Sequence, residues 1–220
     1  MNPYSHIVVA SKLKSLVQPE NLEEYYWGAV VPDIRYPAAL QREKTHLSPQ
    51  RIFELSCHYP HLKSFLQGYL VHCLSDEIEL RAIVLHHFPL SLFKSKIYHQ
   101  RVAVMLELFY FEHETININV SGTHNEVLTE LGLSESVSAR FSQFVHEYIV
   151  SPSHESRVSA LFQLLGRKND SRIEKYMRAA KSFQRNRLLR NILFLGLRTG
   201  KISQEIVSKV AFLWSTVQTP

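Results

Sequence analysis

The chain has 220 residues, 45% of them hydrophobic, with a formal charge of +5 and a pI near 9.2. Those values belong to an ordinary globular protein with room for one sizeable core or two small ones, and the basic balance admits an anionic substrate or surface without specifying one. Two cysteines, Cys57 and Cys73, exclude a disulfide framework. Residues 1–6 lack a basic segment leading into an apolar one, and the apolar runs 69–88 and 188–197 carry charges or histidines or are too short to cross a bilayer. The expectation is a soluble protein of the reducing cytoplasm with no transmembrane segment.

The spacing predicts a first helix opened by Pro3 and Ser5, with Ser5 as N-cap and Ile7, Val8, Ala10, Leu13 and Leu16 on its apolar side. Pro19 opens a second helix, from Glu20 to about Val30, which Pro32 ends. Asp33 follows among apolar residues. Ser48-Pro49 starts a helix that stops at Pro60, and residues 61–88 read as one buried helix carrying a charged patch at Glu77, Glu79 and Arg81. Residues 91–111 form another helix, 115–120 an extended loop, and Thr123-His-Asn-Glu126 a capping box for a short helix ended by Gly132. Ser134 caps the next helix. Further helices are expected over 153–165 and 170–198, and Ser203 starts the last. The fold class is all-α, a single domain over 1–220, with the candidate chemistry in 1–110 and a C-terminal helical half in 111–220.

Within the buried helix, His72 and Asp76 stand four residues apart, on one face, with about 5–6 Å between their Cβ atoms. No other histidine has an acidic residue at that spacing. Two arrangements fit, a buried His–Asp hydrogen bond or two ligands of one divalent metal, and burying either group without a partner is costly. Upstream lie His6 at a helix start, Asp33 past a helix end, and Thr45-His46 after the charged stretch Arg42-Glu43-Lys44.

Ser5-His6, Tyr26-Trp27-Gly28-Ala29-Val30-Val31-Pro32-Asp33-Ile34, Thr45-His46 and Gly68-Tyr-Leu-Val-His72-Cys-Leu-Ser-Asp76 together resemble the zinc-dependent phospholipase C family, whose superfamily also holds single-strand-specific zinc nucleases. The resemblance covers roughly the first 80 residues. It implies an all-α fold and a zinc-dependent hydrolase of phosphoester bonds that uses a metal-activated water. By that likeness His46, His72 and Asp76 hold one Zn2+, and Asp76 bridges to a second shared with His6 and the first residue, Met1. Asp33 resembles the catalytic aspartate that serves the attacking water. Phospholipid is among the substrates the likeness admits, ahead of nucleic acid. The same fold could instead serve a non-catalytic metal-binding or interaction protein.

The chain departs from the family in two places. Met1 stands where the family places a tryptophan, and the ligand pattern for a third zinc is missing, so one or two ions are expected. His86 and His87 are the candidates for an additional metal site. Arg42 and Lys44 are candidate anion-binding residues. The seven basic residues Arg172, Lys175, Arg178, Lys181, Arg185, Arg187 and Arg190 fit either a solvated helix face or a surface for anions.

Overall fold

The computed structural model describes residues 3–87, 106, 107, 109–111, 113, 114, 118, 120, 122–151, 156, 157 and 200–218. Among them no strand occurs, and the architecture is all-α. The helices are α1 (Pro3–Val17), α2 (Leu22–Val30), α3 (Arg35–Ala38), α4 (Arg42–Thr45), α5 (Pro49–His58), α6 (Lys63–Glu77) and α7 (Leu80–His87). They continue with α8 (Glu126–Glu130), α9 (Glu135–Val150) and α10 (Lys201–Gln218). Residues 106, 107, 109–111 and 113 are also helical.

Local chemistry explains most of the ends. Asn21 caps α2 by accepting from the Glu23 and Glu24 amides at 3.0 and 3.2 Å, so that helix begins after Asn21 rather than at Glu20. Ser48 and Ser134 cap α5 and α9 through the amides of Arg51 and Val137. Asn125, not Thr123, caps α8 by accepting from Leu128. Gly132 and Gly200 take positive φ, and α10 starts at Lys201, ahead of Ser203. Ser5 is not a cap either. It lies inside α1, and its Oγ donates to the buried carboxylate of Glu107 at 2.5 Å.

Expected as one helix, residues 61–88 are divided at Ile78, whose extended backbone (φ −73°, ψ 124°) separates α6 from α7. The reason is tertiary: α6 is buried along nearly its whole length, whereas α7 begins amid the charged Glu77, Glu79 and Arg81 and packs on α10. Helices expected over 153–165 and 170–198, with the seven basic residues on the latter, lie outside the described residues apart from Ser156 and Arg157, which are helical.

At the centre of the fold, α2 and α6 meet backbone to backbone. A Cβ at Gly28 would overlap the Phe65 carbonyl, and a Cβ at Gly68 would overlap the Tyr25 carbonyl. The two glycines therefore face each other's helices, and no side chain keeps the axes apart. Around this pair α1 is held by the Tyr25 hydroxyl, which donates to the Ala10 carbonyl at 3.0 Å. Trp27 Nε1 donates to the Thr123 carbonyl at 3.1 Å, bringing the entry to α8 onto α2.

α1 is also fixed at its start. Glu107 accepts from the Tyr4 and Ser5 amides at 2.9 and 2.8 Å and from the Tyr148 hydroxyl at 2.8 Å. The carboxylate satisfies first-turn amides that have no partner within the helix and complements the positive end of its dipole. Burial still pushes the Glu107 carboxyl above its ordinary pKa, a tendency its hydrogen bonds oppose.

Gly68→Ala should lower stability by about 2–3 kcal/mol, because the added methyl must push two backbones apart rather than displace a flexible side chain. Urea unfolding followed by circular dichroism measures this. A variant within about 0.5 kcal/mol of wild type would show that α2 and α6 are free to separate.

Candidate metal centre

Four segments converge on one buried cluster. α1 contributes His6 from its second turn, and α6 contributes His72 and Asp76. Asp33 lies in a single 3-10 turn, Val31–Ile34, which Pro32 forces after α2. His46 follows α4, and its loop is held by the Tyr69 hydroxyl, which donates to the Thr45 carbonyl.

The His72 ring is oriented by the helix pair. Its Nδ1 lies 2.8 Å from the Ala29 carbonyl, which can only accept, so Nδ1 carries the proton and Nε2 the lone pair. Nε2 is buried and makes no hydrogen bond, and neither nitrogen of His6 makes one. The His6 and His72 rings stack at 3.7 Å between centroids, 14° from parallel, and His46 meets His72 edge-on at 5.2 Å. Asp76 Oδ2 lies 3.1 Å from His46 Nε2 and 4.0 Å from His72 Nε2, while Oδ1 lies 3.4 Å from His6 Nε2. One ligand atom from each of His46, His72 and Asp76 lies within 4.8 Å of the other two, and the same holds for His6, Asp33 and His72.

Burial sets the charges. It is the largest influence lowering the pKa of His6, to about 4, and it drives His72 well below the ordinary imidazole range and His46 in the same direction. All three rings are therefore neutral at pH 7, the form that ligates a metal. Burial also raises Asp33 to about 7, helped by the negative charge of Asp76. For Asp76 burial acts upward too, but the imidazoles of His46 and His6 outweigh it and keep the group ionised.

Side chains expected at the centre are thus brought together for His6, Asp33, His46, His72 and Asp76, while Met1 lies outside the described residues. His86 is placed elsewhere: it is exposed and faces Glu205 of α10 at 3.6 Å, in neither candidate group. The break at Ile78 and the packing of α7 on α10 carry it to that surface. The His87 side chain lies outside the described residues. Lys44 is exposed on α4, whereas Arg42 turns inward and donates to Asp76 Oδ2 at 2.8 Å.

Sequence reasoning missed Arg35. Its Nε lies 3.9 Å from Asp33 Oδ1 and makes no hydrogen bond, its Nη2 donates to the Tyr36 hydroxyl at 2.5 Å, and its guanidinium sits 4.2 Å from the Tyr36 ring centroid. A basic residue two positions after a buried aspartate, in a tight turn, was the available signal.

The residues present fit a divalent ion. Buried imidazole nitrogens with no partner, facing an ionised carboxylate, are costly alone and become ligands with a metal between them. Since His72 Nδ1 is committed to Ala29, that residue offers Nε2 alone and serves one ion at a time. Compared with protein-family models, with curated proteins and with solved structures, the chain matches none.

The raised pKa of Asp33 gives a stability test on metal-free protein. A carboxyl whose folded pKa lies above its unfolded value adds stability below the unfolded pKa, near 3.8, and loses it as pH rises through about 7. Asp33→Asn removes that loss. The variant should match wild type near pH 4 and exceed it at pH 8 by a few kcal/mol at most, at about 1.4 kcal/mol per pKa unit. Urea unfolding in the presence of a chelator reads the difference. A variant less stable than wild type at pH 8 would show that the Asp33 carboxylate is a net stabilising partner.

Proposed function

We propose that this protein is a metal-dependent hydrolase of phosphoester bonds, with His46, His72 and Asp76 as ligands of a divalent ion, zinc being among those that imidazole and carboxylate ligands suit. His6 adjoins that group, and Asp33 serves the attacking water. The observation that carries the reading is the buried, unpartnered Nε2 of His72 facing Asp76, beside two further neutral imidazoles. Similarity of the early His, Trp-Gly-Ala-Val-Val-Pro-Asp, Thr-His and His-x-x-x-Asp elements to zinc-dependent phospholipases C supports it independently.

A divalent ion in such a centre supplies Lewis acidity toward a phosphoryl oxygen. The chain's own groups would do the rest. Ala29 fixes the His72 tautomer, so the ligating nitrogen is preset. Asp33, close to His6 and His72 but outside the Asp76-centred group, would take the proton from water as its oxygen bonds to phosphorus. The ester P–O bond then breaks, and the departing alkoxide is protonated from solvent. The His6 and His72 side chains have no exposure, while that of Arg42 has 41%. Among the described residues no helix is long and apolar enough to cross a membrane, so a lipid substrate would have to be met at a surface.

Metal analysis combined with turnover on a phosphomonoester, a phosphodiester and a phospholipid tests the reading. Asp76→Asn should lose both metal and turnover, because a neutral amide is a poor ligand. Asp33→Asn should retain the metal and lose about 10²- to 10⁴-fold in rate, the usual effect of a positioned base. Equal metal loss in both variants would make Asp33 a ligand. Stoichiometric metal with no turnover on any of the three substrates would leave a non-catalytic metal-binding protein.

A further inference from the structure

His46 is delivered to the centre by an arm on the surface of the fold. Of residues 40–48, Thr45 alone is buried. The rest of the arm is exposed or partly so, and α4 within it is a single turn, Arg42–Thr45. What ties Thr45 down is Tyr69, itself fully buried, whose hydroxyl donates to the Thr45 carbonyl. Thr45 in turn meets the ligand. Its Oγ1 lies 3.3 Å from His46 Nδ1 and donates to the Arg42 carbonyl at 3.5 Å. Tyr69 stands on α6 one turn before His72 and two before Asp76, on the face that carries both.

We infer that Tyr69 and Thr45 are positioning residues for His46, and that their hydrogen bonds set how tightly the centre holds its ion. This rests on the metal-centre reading above and extends it to groups that touch neither ion nor substrate. The physical reason is registry. His72 and Asp76 hold fixed positions because α6 is pinned to α2 at Gly28 and Gly68. His46 has only the single turn of α4 before it. Its Nε2 meets Asp76 Oδ2 at 3.1 Å from a largely exposed arm, and zinc bonds of about 2.0–2.2 Å tolerate little displacement. Tyr69 transfers the register of α6 to that arm, so one helix supplies two ligands and places the third.

The outer partners of the rings follow the same division. An imidazole that ligates through Nε2 carries its proton on Nδ1, and the group that accepts that proton fixes the direction of the ring. For His72 the acceptor is the Ala29 carbonyl. For His46 it is Thr45 Oγ1, whose own hydrogen goes to the Arg42 carbonyl and whose lone pair therefore faces the ring. His6 Nδ1 has no such partner among the described residues. The two rings held from behind are the two that converge on Asp76 Oδ2, whereas His6 faces Oδ1. Loss of the Tyr69 hydroxyl would leave the buried Thr45 carbonyl unmatched and loosen the residue that holds His46.

Zn2+ affinity, read by competition with a chromophoric chelator on dialysed protein, tests the proposal in Tyr69→Phe, Thr45→Val and Thr45→Ser, with Tyr110→Phe as control. Tyr110 is equally buried, but its hydroxyl meets Ser203 of α10 rather than the arm. Tyr69→Phe and Thr45→Val should each weaken Zn2+ about 10- to 100-fold, the usual cost of losing an outer partner of a metal ligand. Thr45→Ser keeps the hydroxyl and should bind Zn2+ as wild type does, and so should Tyr110→Phe. With Co2+ in place of zinc, the visible absorption bands should change in Tyr69→Phe and Thr45→Val and match wild type in the other two, which a loss of fold stability alone would not produce. The Thr45 pair decides the question if Tyr69→Phe does not fold. Wild-type Zn2+ affinity and cobalt spectra in both Tyr69→Phe and Thr45→Val overturn the positioning role and leave the metal centre standing. Equal weakening in Tyr110→Phe or in Thr45→Ser traces the loss to general loosening and overturns the role as well. Wild type that takes up neither ion overturns the metal centre and the positioning role with it.

Discussion

The direct approach of α2 to α6 is the constraint on which the centre depends. With Gly28 and Gly68 facing each other's backbones, the Ala29 carbonyl comes within 2.8 Å of His72 Nδ1, one helical turn beyond Gly68. A single packing contact therefore decides which imidazole nitrogen carries the proton and which way the other points. Pro32 then ends α2 immediately, so the chain turns and sets Asp33 beside the same histidine. Helix packing, tautomer and the position of the second carboxylate follow from one pair of glycines.

The centre is expensive to bury in the absence of a ligand. Neutral imidazoles with unmatched nitrogens, a carboxylate raised to about 7 and a guanidinium Nε without a partner all sit inside the fold. Outside the cluster the described residues hold fewer such atoms, Gln67 Oε1 and Arg157 Nε. Glu107 is comparably buried yet accepts from two amides and two hydroxyls, and Arg157 donates to the carbonyls of Ile149 and Ser151 while its guanidinium lies against Phe111. Four of the six unmatched buried atoms are thus gathered in the cluster, where a ligand would supply their partners.

Charge organisation extends from the cluster to its surroundings. Asp76 is the hub, with three imidazoles and one guanidinium within 4.0 Å of its oxygens. Arg42 supplies Asp76 with a counter-charge from within the fold, so the buried carboxylate is not isolated. α1 is drawn to the same place from its other side, because Glu107 fixes the turn just before His6.

By itself the sequence determined the helical class, several element ends and the His72–Asp76 pair of the cluster, while His6, Asp33 and His46 are expected only from the family resemblance. Pro32, Pro60, Ser48 and Ser134 act through backbone sterics and hydrogen bonds within a few residues, so their effects can be read locally. The i, i+4 pair His72 and Asp76 is legible for the same reason. Only the tertiary structure decided the division at Ile78, the withdrawal of His86 to Glu205, the inward turn of Arg42 and the service of Glu107 to α1. Those contacts join segments up to about a hundred residues apart, such as Ser5 and Glu107. No local propensity encodes them, since they arise from which faces the glycine-paired core leaves open.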